Sequence, residues 1–412
     1  MNDQLTELCA NAVDPLEIAA GLEFDGLNDE GAASHGHPDV FAYAEALYRT
    51  VPRRPVEPAE PLPDPWAGDP VRHAVRGVLF GLPGLCYVTA AQAVTGSTLV
   101  LLVSLLLAWA YGQGAAYLAY VAIGHGNRDE GLAVARRGLR IGLAVLVPVV
   151  AATGWATGAS LAAVLLATGQ VVYLLAAGAI LVAGGELVLL AALVPGCVLS
   201  VVYLAVGWPH VWAVWAAGAL TVLEALVLAE WVSRTKARPG RLPLSGAVAP
   251  ALFGALCGGL LAAGAPLEDG ALVMVPLSLS MGAAEWAVYR FRRGGHLLLR
   301  RTETARRFAR GVRVALVAAL GRYLGVLALL TALVVWVSGT LAPVGNLALG
   351  GAVLVALVLQ SFGINRPVLV LFAAALAVRV HLPRLQLGVD LGLLVGVVAV
   401  AWSSVARPSL HQ

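Results

Sequence analysis

From residue 74 onward, apolar residues run in blocks of about twenty, separated by short clusters of arginine, glycine and proline. A helix of that length covers about 30 Å of hydrocarbon, so each block reads as a membrane span. Twelve are expected, at about 74–96, 98–124, 138–156, 160–183, 186–206, 209–231, 245–265, 270–289, 314–338, 342–362, 366–380 and 386–404. The first 70 residues follow a different pattern. Asp14-Pro15 supplies an N-cap and a proline at the first helical position, with Leu16, Ala19 and Leu22 at helical spacing behind it. Pro38-Asp39 opens a second helix in which Val40, Phe41, Ala44, Leu47 and Tyr48 recur at the same period. The predicted fold is all-α. It has a helical module of two or three helices over 1–51, a proline-rich spacer over 52–73, and two six-span membrane halves at 74–231 and 245–406 joined by a basic loop at 232–244.

Composition agrees with a polytopic membrane protein: 59% of the 412 residues are apolar and only 12% charged. The modest net charge of +3 hides an asymmetry. Residues 1–70 hold 14 acidic side chains against Arg49, Arg53 and Arg54, whereas the remainder holds 24 basic against 10 acidic. Of those 24, 21 fall in or beside alternate connections, and only Arg379 and Arg384 fall at the opposite ends of spans. Basic residues beside spans resist translocation, so an inner (cell) membrane location with both termini cytoplasmic is expected. No positively charged, apolar leader opens the sequence, which places the acidic module inside the cell. Its charge complements the arginine-rich loops or a cytoplasmic protein partner. Membrane lipids are the other expected partner, and nucleic acid is not one.

Enzyme chemistry has little to hold. The chain has no glycine-rich phosphate loop ending in Lys-Ser/Thr, no Gly-x-Ser-x-Gly elbow and no His-Glu-x-x-His, so no catalytic residue is assigned. Cys9, Cys86, Cys197 and Cys257 are too dispersed to frame disulfides, and His35 with His37 lacks the further ligands of a metal site. Neither a metal nor a cofactor is expected.

The informative residues are ionisable groups inside spans, where an unpaired charge costs several kcal/mol and faces a partner or a wet cavity. Arg322 lies nine residues beyond Arg313, about 13 Å into its span, and Glu224 lies ten before Arg234, about 15 Å in. Glu285 is shallower. Three readings of Arg322 stand side by side: a buried ion pair with Glu224 or Glu285, a guanidinium that meets an anionic head such as a pyrophosphate or uronic sugar, and a side chain that snorkels to water. Gln113, Tyr117 and Tyr120 in the second span, Gln170 and Tyr173 in the fourth and Gln360 in the tenth are further substrate-path candidates. Trp208, Trp212 and Trp215 read as an interfacial belt. In the seventh span, Gly254-x-x-x-Gly258 suits close helix approach.

One short pattern occurs twice. Arg137-Gly138-Leu139-Arg140-Ile141 returns as Arg310-Gly311-Val312-Arg313-Val314, each time where a basic loop enters a long apolar segment. A duplicated membrane unit is an architecture of transporters. Arg137, Arg140, Arg310 and Arg313 are expected to lie against anionic headgroups. The segment Tyr111-Gly112-Gln113-Gly114 through Tyr120, with Gly124-His125-Gly126-Asn127-Arg128-Asp129-Glu130-Gly131 and Ala135-Arg136-Arg137-Gly138-Leu139-Arg140, resembles the second span, loop and third span of the multidrug/oligosaccharidyl-lipid/polysaccharide exporter superfamily. Leu277-Ser278-Leu279-Ser280-Met281 with Glu285, Tyr289, Arg290, Phe291 and Arg292-Arg293 is similar to the corresponding region of Pel-type exopolysaccharide exporters.

The resemblance implies two six-helix halves that rock about a central cavity and export a polysaccharide or lipid-linked oligosaccharide. Two other classes are weighed against it. A cation-coupled small-molecule exporter lacks its customary carboxylate in the first span, and a non-transporting envelope-assembly scaffold would make the acidic module the working part.

Overall fold

The computed structural model describes residues 3–52, 75, 76, 78, 79, 82, 83, 97–207, 210–240, 244–264, 270–338 and 345–411. They are helical apart from turns, and they divide into two compact units, Met1–Ala67 and Gly68–Gln412.

The first unit contains α1 (Asp3–Asn11), α2 (Pro15–Phe24), α3 (Asp29–Ser34) and α4 (Val40–Thr50). Each of the last three starts at a side-chain cap, where Asp14 accepts from the Glu17 amide, Asn28 from Gly31 and Asp39 from Ala42. Four helices form where two or three were expected, because the short Asn28-capped turn and the N-terminal segment also fold. Their core joins Cys9, Ile18, Ala19, Leu22, Ala32, Val40, Ala44 and Leu47. Leu16 and Phe41, expected on that face, are exposed instead, and Ile18 takes the interior position. His35 and His37 stack on Tyr43, with ring centroids 5.0 and 5.1 Å away.

The second unit carries α5 (Thr98–Gly124), α6 (Arg128–Ala156), α7 (Leu161–Ala183), α8 (Glu186–Val206), α9 (Val211–Val232), α10 (Ser245–Gly264), α11 (Gly270–Arg301), α12 (Ala305–Ser338), α13 (Gly345–Ser361), α14 (Arg366–His381) and α15 (Gln386–Ser404). Eleven of the twelve expected spans thus have a helix in place. The first, 74–96, lies mostly outside the described residues, as do Arg72, Cys86 and Trp208. Among the described residues, eight helical segments are long and apolar enough to cross a membrane: α5 to α10, α12 and 383–404. The chain is a multi-pass membrane protein.

Two expected starts move. The sequence pattern puts the third and ninth spans at 138 and 314, yet α6 begins at Arg128 and α12 at Ala305. Both arginine-rich stretches are therefore helical extensions of the spans, not loops. At α6 the cause is local: the Asn127 side chain caps the Glu130 amide, and Asp129 and Glu130 occupy the first turn, where the helix dipole favours negative charge.

Each half has its own core. One cluster gathers Leu139, Leu146, Val150, Val171, Ile180, Leu189, Leu193 and Ala225 from α6–α9. Another gathers Phe253, Leu260, Phe308, Leu349, Val355, Phe372 and Val397 from α10–α15. The main described helix contact between halves is α5 against α10. A Cβ built on Gly254 of α10 would stand 3.1 Å from the Trp109 carbonyl oxygen of α5, and one on Gly114 of α5 would stand 3.3 Å from that of Ala247. The helices approach to backbone contact there because glycine presents no side chain at either point.

Candidate functional site

Helices that alternate in direction bring the connections at 125–127, 184–185, 233–240, 302–304 and 362–365 to one end of the membrane unit, the arginine-rich or basic end. Here Arg76 joins the two halves. Its Nε donates to Glu186 Oε1 at 2.7 Å, and Nη2 reaches the same oxygen at 2.7 Å. Nη2 also donates to the Leu181 carbonyl at 3.2 Å, while Nη1 reaches across to Glu285 Oε1 of α11 at 3.3 Å. Tyr120 of α5 stands beside the guanidinium.

The two arms of this bridge differ. Glu186 opens α8 after the Gly184-Gly185 turn, in which Gly184 ends α7 at a φ of +79°, so the carboxylate is held at a helix start and is only 3% exposed. Glu285 keeps 25% of its surface and Arg76 keeps 23%. A partly exposed pair contributes roughly 0–1 kcal/mol, at most about fivefold in an equilibrium. The short, buried arm stays within the first half, and the long, exposed one crosses between halves. The crossing arm is the one that breaks at low cost.

Arg322 does not pair with Glu224 or Glu285, contrary to the ion-pair expectation. Glu285 is taken by Arg76 in the other half, and Glu224 on α9 has no ion-pair partner among the described residues. The Arg322 Nε bonds the Ala318 carbonyl of its own helix at 3.0 Å, and the side chain borders a cleft with Ala283, Trp286, Ala287, Arg290, Tyr323 and Val326. Gln113 lies on α5 at the seam between halves, its Cγ 3.1 Å from a Cβ built on Gly254. Gln170 accepts from Ser104 Oγ at 3.2 Å inside the first half. The structure thus brings Gln113 to the interface and leaves Gln170 within one bundle. Gln360 is on α13 with a buried, unbonded amide nitrogen.

The repeated arginines divide. Arg140 makes two bonds to Glu230 of α9, at 2.8 and 2.7 Å, and Arg136 adds a third at 2.8 Å. At the matching place in the second half, Arg313 lies 5.2 Å from the Trp402 ring centroid of α15 and donates to the Trp402 carbonyl. Arg137 and Arg310 are exposed and have no ion pair among the described residues. Each half therefore fastens its third span to its sixth through the second arginine of the repeat.

Sequence reasoning did not single out three groups. Arg76 counted only as one of the basic residues in or beside connections, Glu186 and Glu230 drew no notice at the ends of their spans, and no spacing linked residues 110 positions apart. Arg379 and Asp390 form a 2.8 Å ion pair that is 1% and 0% exposed. That pair did carry a signal: Arg379 lies four residues before the Pro383–Leu385 turn and Asp390 five after it, so a tight helical hairpin brings them together.

No protein-family model matches the sequence, and no curated protein matches it. Two solved structures are similar. One is the "Inward-facing conformation of a multidrug resistance MATE family transporter of the MOP superfamily", with 16% identity, TM-score 0.44, and coverage of 83% of this chain and 97% of that one. The other is the outward-facing conformation of a transporter of the same description, at 16% identity and TM-score 0.44 over 82% and 94%. At that distance neither assigns a residue role or a cargo to this chain.

Proposed function

We propose that this chain is an exporter or flippase that moves a saccharide-containing substrate, a polysaccharide or a lipid-linked oligosaccharide, across the inner membrane by alternating access. The observation that carries the reading is the Arg76 bridge. Two bundles with separate cores meet along a seam of small residues and are latched at the basic end by a polar contact of low cost. That construction lets one bundle turn against the other without either core coming apart. The saccharide cargo rests on the similarity of the 277–293 segment to Pel-type exopolysaccharide exporters and on Gln113 at the seam, whose amide suits sugar hydroxyls.

The test is glycan release from a deletion strain. Wild type should restore it, and Arg76→Gln at matched membrane level should restore less than half of it, because the arm that closes the basic end is lost and with it up to about fivefold in the balance of states. Unchanged glycan release on deletion would remove the saccharide cargo from the account.

A further inference from the structure

The cleft between α11 and α12 combines features that the Arg76 bridge leaves unused. Its volume is about 90 Å³, and Arg290 and Arg322 both border it. Neither has a carboxylate within ion-pairing distance among the described residues. The Arg322 Nε is spent on the Ala318 carbonyl, and its two Nη atoms make no hydrogen bond among those residues. The Arg290 guanidinium lies 5.9 Å from the Trp286 ring centroid. Two cations in one membrane cleft repel, and the low dielectric strengthens that repulsion unless an anion joins them.

The walls identify what sort of anion. Arg290 lies at the basic end of the cleft, and Ala283 and Val326 lie toward its other end, the first of them seven residues, about 10 Å, further along α11. Between them are Ala287 and Tyr323, the latter with its hydroxyl bonded to Ser280 at 3.0 Å and so not available to a ligand as a free donor. A charged mouth followed by an apolar channel fits a phosphate head that carries a hydrocarbon tail better than a free inorganic ion. Guanidinium forks match phosphate oxygens in geometry, and an indole beside the mouth sits well at the headgroup level.

We infer that Arg290 and Arg322 form a binding site for the phosphate head of a lipid in the leaflet at the basic end, with the tail lying along Ala287, Tyr323 and Val326. This site lies on the second half alone and holds whether or not the chain transports. Its lipid is a resident membrane phospholipid or a phosphate-bearing carrier lipid, which share the head chemistry.

Native mass spectrometry of the purified full-length protein separates the outcomes. The probes are phosphatidylglycerol, undecaprenyl phosphate and diacylglycerol, the last with similar tails and no phosphate. Wild type should retain at least one phosphate lipid about tenfold more than diacylglycerol. The Arg290→Gln/Arg322→Gln double variant should lose that preference, while Arg306→Gln, an exposed arginine on the same helix, should keep it. A monodisperse elution profile and unchanged helical circular dichroism establish that the double variant is folded. Equal retention of both phosphate lipids identifies a headgroup site, and retention of undecaprenyl phosphate alone identifies a carrier-lipid site; both support the assignment. A double variant that keeps the phosphate preference, or a wild type that holds diacylglycerol equally well, overturns it.

Discussion

At the residue scale, charge inside this protein is arranged in three ways with different costs. Arg379 and Asp390 are fully enclosed, and only one of their possible contacts is made: the Arg379 Nε and Nη2 and the Asp390 Oδ2 lack hydrogen-bond partners among the described residues. Breaking such a pair from one side strands a buried charge, at about 3–5 kcal/mol, whereas replacing both partners with apolar groups of similar volume is often neutral or stabilising. Asp390→Ala should therefore lower the thermal midpoint of the purified protein markedly, while Arg379→Met/Asp390→Leu should stay near wild type. A double variant as unstable as the single one would show that the pair does more than satisfy itself. By contrast, Arg76 with Glu285 keeps about a quarter of its surface exposed and breaks more easily, and Arg322 with Arg290 has no carboxylate partner among the described residues. Sequence depth located Arg322 as an unusual charge but not its neighbours, because side-chain partners across 100 residues depend on helix rotation that hydropathy does not encode.

At the element scale, the helices were legible from the length of the apolar blocks, and their ends were less so. Arg128 and Ala305 start their helices about nine or ten residues before the apolar run, since arginine is a good helix former and its presence marks the membrane boundary rather than the helix boundary. The repeat Arg-Gly-x-Arg was also legible, but its use was not: the second arginine in each copy fastens span to span through Glu230 or Trp402. The seam of α5 and α10 follows directly from glycine spacing. Beside Gly254, the Cα of Ala110 is 3.3 Å from the position a Cβ would take, so Gly254→Leu must push two backbones apart. Because α5 and α10 belong to different halves, that variant should reduce export to under about a tenth of wild type while each bundle keeps its helices, read as glycan release against helical circular dichroism. Normal export from Gly254→Leu would mean that close approach at this point is dispensable.

At the scale of the membrane unit, two cores share a seam and, among the described residues, one polar bridge between halves. Within a half, Arg136, Arg140 and Glu230 bind span to span with three contacts, and among the described residues the two main apolar clusters cross the seam only where Trp109 of α5 packs against the second core. Between halves, the Arg76–Glu285 arm adds at most about 1 kcal/mol. A charge-neutral change at Glu285 should thus shift the balance of states without unfolding either bundle.

The most direct measurement is a distance distribution between spin labels on the two halves at the basic end. His125→Cys in the α5–α6 turn and Glu303→Cys in the α11–α12 turn are exposed positions for the labels, placed in a background lacking the native cysteines. The account predicts two distances in wild type, with the longer one gaining population up to about fivefold in Glu285→Gln. A single distance, identical in wild type and Glu285→Gln, would contradict two halves that move about a breakable latch.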